Sequence, residues 1–286
     1  MAHLRPKVLV TEPIPEKCLT YLNEHADLHI GKIGEFQRED NLVRTISDYD
    51  ALLCMLSTPV TKEVLESAQN LKIVANFAVG YNNIDVEAAK SLGIKVANTP
   101  DVLTAATAEI AMLVLLGAAR RAKEGIEWAR KKNWKWTADF LMGKELTKAR
   151  LGILGMGRIG RAIAARARSF GMKIHYYNRV RLSPDLEKDS VYHDSIKSLF
   201  SVSDFLSINC TATEETKYII NKKTLNYFPN GAVIANSARG EMIEDVSMIE
   251  ALKSGKIYSL GLDVYNGEPN IHPEYINLSN VFVLPH

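Results

Sequence analysis

The sequence predicts an α/β protein built from two doubly wound parallel-sheet domains, and two observations lead to this prediction. Short β-rich runs alternate with amphipathic helical segments along the 286 residues, which is typical of parallel sheets covered by helices on both faces. The alternation is interrupted at Asn98-Thr99-Pro100-Asp101 and resumes in larger units after residue 150. Since the chain is long enough for two cores, we predict a smaller domain at residues 1–98 and a second domain at residues 99–286.

The first domain is predicted to be a five-stranded α/β unit. Its strands are expected at 7–11, 26–30, 51–56, 71–77 and 94–97, and its helices at 16–25, 37–47, 61–68 and 84–92. Ligands of open parallel sheets bind beyond the carboxyl ends of the strands, which draws attention to the loop at 78–83. On its own, that loop is explained more simply as one that caps the next helix through Asn83 or Asp85.

A long helical pattern at 104–131 follows Pro100 and carries more apolar surface than one small sheet would cover. We interpret it as a helix between the domains or as one that packs against a second subunit. The next stretch is an expected loop with five large apolar side chains, Trp134, Trp136, Phe140, Leu141 and Met142. It is interpreted either as the arm of a homodimer or as a loop folded over its own core.

The stretch LGILGMGRIGRAIAARARSFG, residues 151–171, predicts a strand, a tight turn and a helix. In this Gly-x-Gly-x-x-Gly pattern Gly155 makes the turn, Gly157 lets the backbone approach a pyrophosphate, and Gly160 lets the helix pack closely on the strand. The first helical N–H groups then face the phosphates. The stretch therefore indicates a dinucleotide-binding site.

The remainder of the second domain predicts a sheet of at least six parallel strands, the first of which leads into the glycine turn. Further strands are expected at 172–177, 204–209, 232–236, 258–263 and 281–284, and helices at 195–200, 222–227 and 245–253. Arg239, Glu268 and His286 follow the ends of three successive strands. Since parallel strands end at the same edge, we expect these side chains to gather where the nicotinamide end of a dinucleotide would lie.

The motifs GMGRIG, NSARGE, GLDVYNGEP and VLPH, together with VGYNNID and TAATAEIAM, resemble the D-isomer-specific 2-hydroxyacid dehydrogenases over essentially the whole chain. The resemblance is greatest to the glyoxylate/hydroxypyruvate reductase and 2-ketogluconate reductase branches. It implies a flavodoxin-like substrate domain, a Rossmann dinucleotide-binding domain and an NAD(P)-dependent reductase that forms D-2-hydroxy acids in a cleft between them. Members of the family continue past this position to a helix that returns to the first domain, so we expect either a tail beyond His286 or a truncated form.

By the same resemblance, Arg239 binds the substrate carboxylate, His286 donates the proton, Glu268 pairs with His286, and the backbone N–H groups of Val79 and Gly80 hold the carboxylate. The residues implied in cofactor binding are Gly155, Met156, Gly157, Arg158, Ile159, Gly160, Asn178, Arg179, Arg181, Cys210, Ser237, Ala238 and Asp263. No metal is expected.

The end of the strand after the glycine turn bears on cofactor choice. An NAD site of this type places a carboxylate about 20 residues past the turn, whereas this chain has Asn178, followed by Arg179 and Arg181. A neutral amide does not repel a 2′-phosphate, and arginines can pair with it. The sequence thus predicts NADP(H) in preference to NAD(H), although both arginines could simply face solvent.

Composition limits the other classes of function. The net charge of +2 is spread along the chain, so neither a nucleic-acid partner nor a membrane partner is expected, and the most apolar segment, 105–119, is too short to span a bilayer. No signal peptide is recognised, and Cys18, Cys54 and Cys210 are interpreted as reduced core cysteines of a cytoplasmic protein. A dinucleotide-sensing transcriptional corepressor of the same fold family is the alternative function. A formate dehydrogenase is disfavoured because it would require glutamine where Glu268 stands.

Overall fold

The computed structural model describes residues 5–131, 133–134 and 137–286. The chain divides into two compact units, Met1–Leu103 and Thr104–His286. This division falls slightly after the predicted boundary at 98/99, because residues 99–103 are irregular and the Thr99 N–H donates to Ala78 O of the first unit at 3.0 Å. Each unit contains one entirely parallel sheet, which confirms the predicted fold class.

The first unit contains a five-stranded sheet in the order β2-β1-β3-β4-β5. Its strands are β1 (Lys7–Val10), β2 (Asp27–Ile30), β3 (Ala51–Cys54), β4 (Ile73–Asn76) and β5 (Lys95–Ala97). Its helices are α1 (Glu16–His25), α2 (Glu39–Thr45), α3 (Lys62–Ser67) and α4 (Val86–Ser91), with a 3₁₀ turn at Ile46–Asp48. Helices α3 and α4 begin where Thr61 and Asp85 accept hydrogen bonds from backbone N–H groups of the first turn.

The second unit contains a seven-stranded sheet in the order β12-β11-β10-β9-β6-β7-β8. Its strands are β6 (Arg150–Leu154), β7 (Lys173–Tyr177), β8 (Val191–His193), β9 (Phe205–Ile208), β10 (Ala232–Asn236), β11 (Ile257–Leu262) and β12 (Val281–Val283). Its helices are α5 (Thr104–Ala119), α6 (Ala122–Ala129), α7 (Arg158–Ser169), α8 (Pro184–Glu187), α9 (Ile196–Val202), α10 (Lys222–Leu225), α11 (Asp245–Lys253) and α12 (Pro273–Asn277), with a 3₁₀ turn at Gly240–Met242. Strands β9 and β10 are buried throughout, and a hydrophobic core covers each face of the sheet.

The helical pattern predicted over 104–131 forms two helices rather than one. Arg121 has a left-handed backbone (φ 56°) and separates α5 from α6. Helix α5 packs on β10, β11 and α7 of its own unit, which covers part of its apolar surface. A stripe of α5 that includes Ile110 and Leu113 nevertheless remains exposed.

The three cysteines are free, but only Cys54 is buried in a core. Cys210 is partly buried, and Cys18 is exposed on α1, a helix with no buried residue, so its assignment to a core was wrong. Within the described residues, no helix combines the length and apolarity needed to cross a membrane.

Candidate active site

The glycine turn between β6 and α7 has the geometry that its sequence pattern requires. Gly155 has φ +97°, and a Cβ there would lie 2.6 Å from Cys210 N. At Gly160 a Cβ would lie 2.3 Å from Gly155 O, so the helix can approach the strand only without a side chain. Gly157 caps α7 and faces open space, which leaves room for a ligand to approach the backbone.

A cavity of about 430 Å³ lies at this turn. Its walls are the glycine turn, the end of β7 and the loop after β9. The residues of the predicted cofactor set that line it are Gly155, Met156, Gly157, Asn178, Arg179 and Cys210. Burial raises the pKa of the Cys210 thiol to about 11, so this side chain forms a neutral part of the wall.

The two arginines at the end of β7 have different surroundings. Arg179 lines the cavity. Arg181 makes two 2.8 Å hydrogen bonds to the carboxylate of Glu187, and its guanidinium lies over the ring of Tyr192. The hydroxyl of Tyr176 donates to Glu187 and accepts from the backbone N–H of Leu182, each at 3.1 Å. Arg179 is therefore the arginine of the pair that lines the cavity, and nothing in the sequence pattern revealed the role of Glu187.

Other members of the predicted cofactor set lie outside the cavity lining. Arg158 is exposed in the first turn of α7, and Ile159 packs against the core beside it. Ser237 and Ala238 belong to the turn after β10. Asn178 contributes to the turn as well as to the cavity, because its Oδ1 accepts the N–H of Met156 at 2.7 Å.

Asp263 tests whether the residues present suit a nicotinamide cofactor. Burial raises its pKa to about 6, and its Oδ1 is buried without a hydrogen-bond partner in the described part of the chain. A buried acceptor left in this way is expected to receive a donor from a ligand. A dinucleotide fits three features of the unit: the unpaired acceptor of Asp263, the open space at Gly157 and the cavity beside Arg179.

The strand-end residues Glu268 and His286 are brought into direct contact. Strands β10, β11 and β12 are neighbours in the sheet, so the loops that follow them share one edge. The Nδ1 of His286 lies 2.7 Å from Oε2 of Glu268, and Oε1 of Glu268 accepts the backbone N–H of Tyr265 at 2.8 Å. Glu268 is thus held by the backbone on one side and orients the imidazole on the other.

The electrostatics of this pair favour the protonated form of the imidazole. The hydrogen bond that His286 donates to Glu268 raises the pKa of His286, and the charges of Glu268 and Asp263 add to this against the opposing effect of burial. Burial alone would raise the pKa of Glu268, but the hydrogen bonds from His286 and Tyr265 and the charge of Arg239 outweigh it and lower that pKa. Such an arrangement can serve as a positioned proton donor with its counter-ion.

The backbone around Arg239 is fixed by a residue that the sequence reasoning missed. Asn236 is fully buried at the end of β10; its Oδ1 accepts the Ala238 N–H at 3.0 Å, and its Nδ2 donates to Arg239 O at 2.8 Å. The available signal was a polar residue that ends an apolar strand. Burial lowers the pKa of Arg239 against the charges of Glu268 and Glu241, but a guanidinium stays protonated at neutral pH.

The simpler interpretation of the loop at 78–83, in which Asn83 or Asp85 caps the next helix, is correct for Asp85 and not for Asn83. Asp85 accepts the N–H of Ala88 at 2.9 Å at the start of α4, and Asn83 donates to Met55 O and Thr58 O at 3.0 Å. Val79 and Gly80 are partly buried between these anchors. Hydrogen bonds therefore hold this loop in place at the carboxyl end of β4.

The aromatic arm is only partly described, because Trp136 lies outside the described residues. Trp134 stacks on Phe140, which in turn packs edge-on against Trp128 of α6. Trp134 and Met142 remain 41% and 64% exposed. The arm therefore contacts its own unit and also leaves apolar surface in water.

A family model and two curated relatives indicate the same family of enzymes. Residues 112–286 match the model of the D-isomer specific 2-hydroxyacid dehydrogenase NAD binding domain. The chain is 42% identical over 289 residues to a glyoxylate reductase from Thermococcus kodakarensis, covering 99% of this chain and 86% of the relative. It is 40% identical to a glycerate dehydrogenase from Hyphomicrobium methylovorum over 286 residues, covering 99% and 89%.

A solved structure agrees with these relatives. The NADPH-dependent glyoxylate/hydroxypyruvate reductase of Sinorhizobium meliloti, in complex with NADP and malonate, superposes with a TM-score of 0.87 at 30% identity, covering 99% of this chain and 86% of that one. These relatives are named as enzymes, and none supports the corepressor alternative. With the glycine turn, the cavity and the paired Glu268 and His286, they show that the chain belongs to the D-isomer specific 2-hydroxyacid dehydrogenase family.

Proposed function

We propose that this enzyme reduces small 2-oxo acids of the glyoxylate and hydroxypyruvate type to D-2-hydroxy acids and prefers NADPH to NADH. The observation that carries the proposal is the 2.7 Å contact between His286 and Glu268 near the charge of Arg239. It supplies a proton donor and a carboxylate anchor on neighbouring strand ends. The names of the relatives support the same substrate class.

In this proposal residues 1–98 form the substrate domain and residues 99–286 the dinucleotide-binding domain. A bound nicotinamide cofactor supplies the hydride. Arg239 binds the substrate carboxylate through its planar fork and so orients the carbonyl. The protonated His286 gives its Nε2 proton to the carbonyl oxygen, while Glu268 keeps the ring in place through Nδ1. A cytoplasmic location is part of the proposal, supported by the three free cysteines.

The test is a panel of glyoxylate, hydroxypyruvate, pyruvate, 2-ketogluconate and phosphohydroxypyruvate, each with NADPH and with NADH, and with chiral analysis of the product. The highest kcat/KM is expected for glyoxylate or hydroxypyruvate, and hydroxypyruvate should yield the D product. A higher kcat/KM for 2-ketogluconate or phosphohydroxypyruvate would contradict the substrate class.

Glu268→Gln is expected to move the pH profile rather than abolish activity. Glu268 raises the pKa of His286, so its carboxylate keeps the proton donor loaded to higher pH. Without that charge the pKa of His286 falls, and kcat/KM for reduction should decline at lower pH than in the wild type. The matched control is Glu274→Gln, which removes a surface carboxylate paired with Lys253. If both variants share the wild-type profile, the Glu268–His286 pairing has no catalytic role.

Arg179→Ala is expected to reduce the preference for NADPH. Losing one charged hydrogen bond to a 2′-phosphate should lower kcat/KM with NADPH by about 10–100-fold. The value with NADH, which has no 2′-phosphate, should change little. Arg181→Ala is the matched control, because Arg181 is bound to Glu187 and does not line the cavity. A wild-type enzyme with higher kcat/KM for NADH, or equal losses with both cofactors in Arg179→Ala, would count against the cofactor proposal.

We also propose a homodimer that covers the exposed stripe of α5 and the arm. Ile110 and Leu113 are 36% and 46% exposed on α5, in addition to the exposed arm residues. Light scattering at micromolar concentration should give twice the monomer mass, and Leu113→Asp should lower it towards that of the monomer. Val246→Asp, at an exposed apolar position of α11, should leave the mass unchanged. A monomeric wild-type protein would refute the dimer.

A further inference from the structure

Two successive backbone carbonyls in the loop after β4 are held by one neighbouring segment. The carbonyl of Ala78 accepts the backbone N–H of Thr99 at 3.0 Å. The carbonyl of Val79 accepts the side-chain amide of Asn98 at 2.8 Å. Both carbonyls therefore face the segment 98–99, although successive carbonyls of an extended chain point to opposite sides.

This arrangement fixes the direction of two N–H groups. A trans peptide is planar, so each carbonyl points opposite to the N–H of the following residue. The N–H groups of Val79 and Gly80 consequently face away from the segment 98–99, side by side. Neither donates a hydrogen bond to another part of the described chain. Adjacent N–H groups that face one side form a small concavity suited to an anion.

The following peptide is held from another direction. The fully buried Asn76 donates to Gly80 O at 2.6 Å, and its Oδ1 accepts the thiol of Cys54 at 3.3 Å. Asn76 belongs to a buried network, so replacing it would disturb the core of the first unit as well as the loop. Asn98 is only partly buried and lies in an irregular segment, which makes it the residue whose substitution isolates the effect on the loop.

We propose that Asn98 is a positioning residue for the substrate carboxylate. Its amide holds the Val79 carbonyl and thereby keeps the Gly80 N–H directed at a bound carboxylate, beside the Val79 N–H that Thr99 fixes through the backbone. The inference rests on the proposed function, because it assigns a role within the same substrate site. Without the amide, the peptide between Val79 and Gly80 can rotate, and the anion loses one of two aligned donors.

The test compares Asn98→Ala and Asn98→Asp with the wild type in the full chain. Asn98→Ala should raise KM for glyoxylate about tenfold and weaken binding of oxalate, a carboxylate that is not reduced, by the same factor. In Asn98→Asp a carboxylate faces the carbonyl oxygen and repels it. The KM for glyoxylate and the Kd for oxalate should therefore each rise about 100-fold. The kcat at saturating glyoxylate, the Kd for NADPH and Tm should change little in Asn98→Ala. Asn70→Ala is the control, since it removes a similar side-chain bond, to Ser47 O, elsewhere in the unit.

The outcomes separate this inference from the proposed function. An unchanged KM and an unchanged Kd for oxalate in both Asn98 variants would overturn it. A lower Tm and a lower kcat together with a higher Kd for NADPH in Asn98→Ala would also overturn it, because they would indicate general damage to the fold. If the wild type reduces no 2-oxo acid, the proposed function fails, and oxalate titration still decides the role of Asn98. A wild type that binds no oxalate overturns the inference directly.

Discussion

His286→Gln is expected to lower kcat for 2-oxo acid reduction by about 10²–10⁴, the range typical for loss of a general acid. Glutamine retains a hydrogen-bonding group of similar size, so Glu268 can still be paired, but an amide cannot deliver a proton. Hydride transfer to a ketone then leaves negative charge on oxygen with no positioned acid to neutralise it. The measurement is kcat at saturating oxo acid and NADPH.

Three further observations show whether this loss is chemical. NADPH binding, followed by fluorescence, should match that of the wild type, because the cavity at the glycine turn does not include His286. The pH profile of kcat should lose the decline that accompanies deprotonation of the His286 imidazole. His25→Ala, at an exposed position at the end of α1, should leave kcat unchanged. A His286→Gln enzyme with kcat within a few-fold of the wild type would exclude His286 as the proton donor.

Most of the fold could be predicted from the sequence because the pattern repeats at the level of whole elements. Most parallel strands of the second unit are apolar runs bounded by turn residues, and the glycine turn marks the strand that leads into α7. Strand β8 was missed because its sequence, Val191-Tyr192-His193, does not form an apolar run. The break at Arg121 was also missed, because a left-handed arginine has no local sequence signal comparable to glycine.

The site was predictable where backbone topology decides position. Arg239, Glu268 and His286 follow successive strands that are also adjacent in the sheet, and adjacency could be inferred from strand order in this fold. Contacts between side chains on short loops could not be inferred. The pairing of Arg181 with Glu187 and the bond from Asn98 to Val79 O depend on loop conformations that no periodicity encodes.

Arg239→Ala is expected to raise KM for the oxo acid and to lower kcat, with kcat/KM reduced by about 10²–10⁴. Two charged hydrogen bonds to a carboxylate are lost, each worth about 1.5–3 kcal/mol. The loss reaches kcat as well as KM because the same fork fixes the carbonyl relative to the hydride and the proton donor. The charge of Arg239 also lowers the pKa values of Glu268 and His286, so both pKa values should rise in Arg239→Ala.

Arg239→Lys separates charge from geometry. A lysine keeps the positive charge near Glu268 but offers a single ammonium group instead of a planar fork. The KM of Arg239→Lys should therefore be lower than that of Arg239→Ala, while its kcat stays low. Added guanidinium ion should restore part of kcat in Arg239→Ala and none in Arg239→Lys, where the ammonium fills the space. Arg166→Ala removes a guanidinium paired with Glu109 on the surface of the same unit and should behave as the wild type. If Arg239→Ala raised KM with kcat unchanged, Arg239 would bind the carboxylate without orienting the carbonyl, and the alignment would have to come from the N–H groups of Val79 and Gly80.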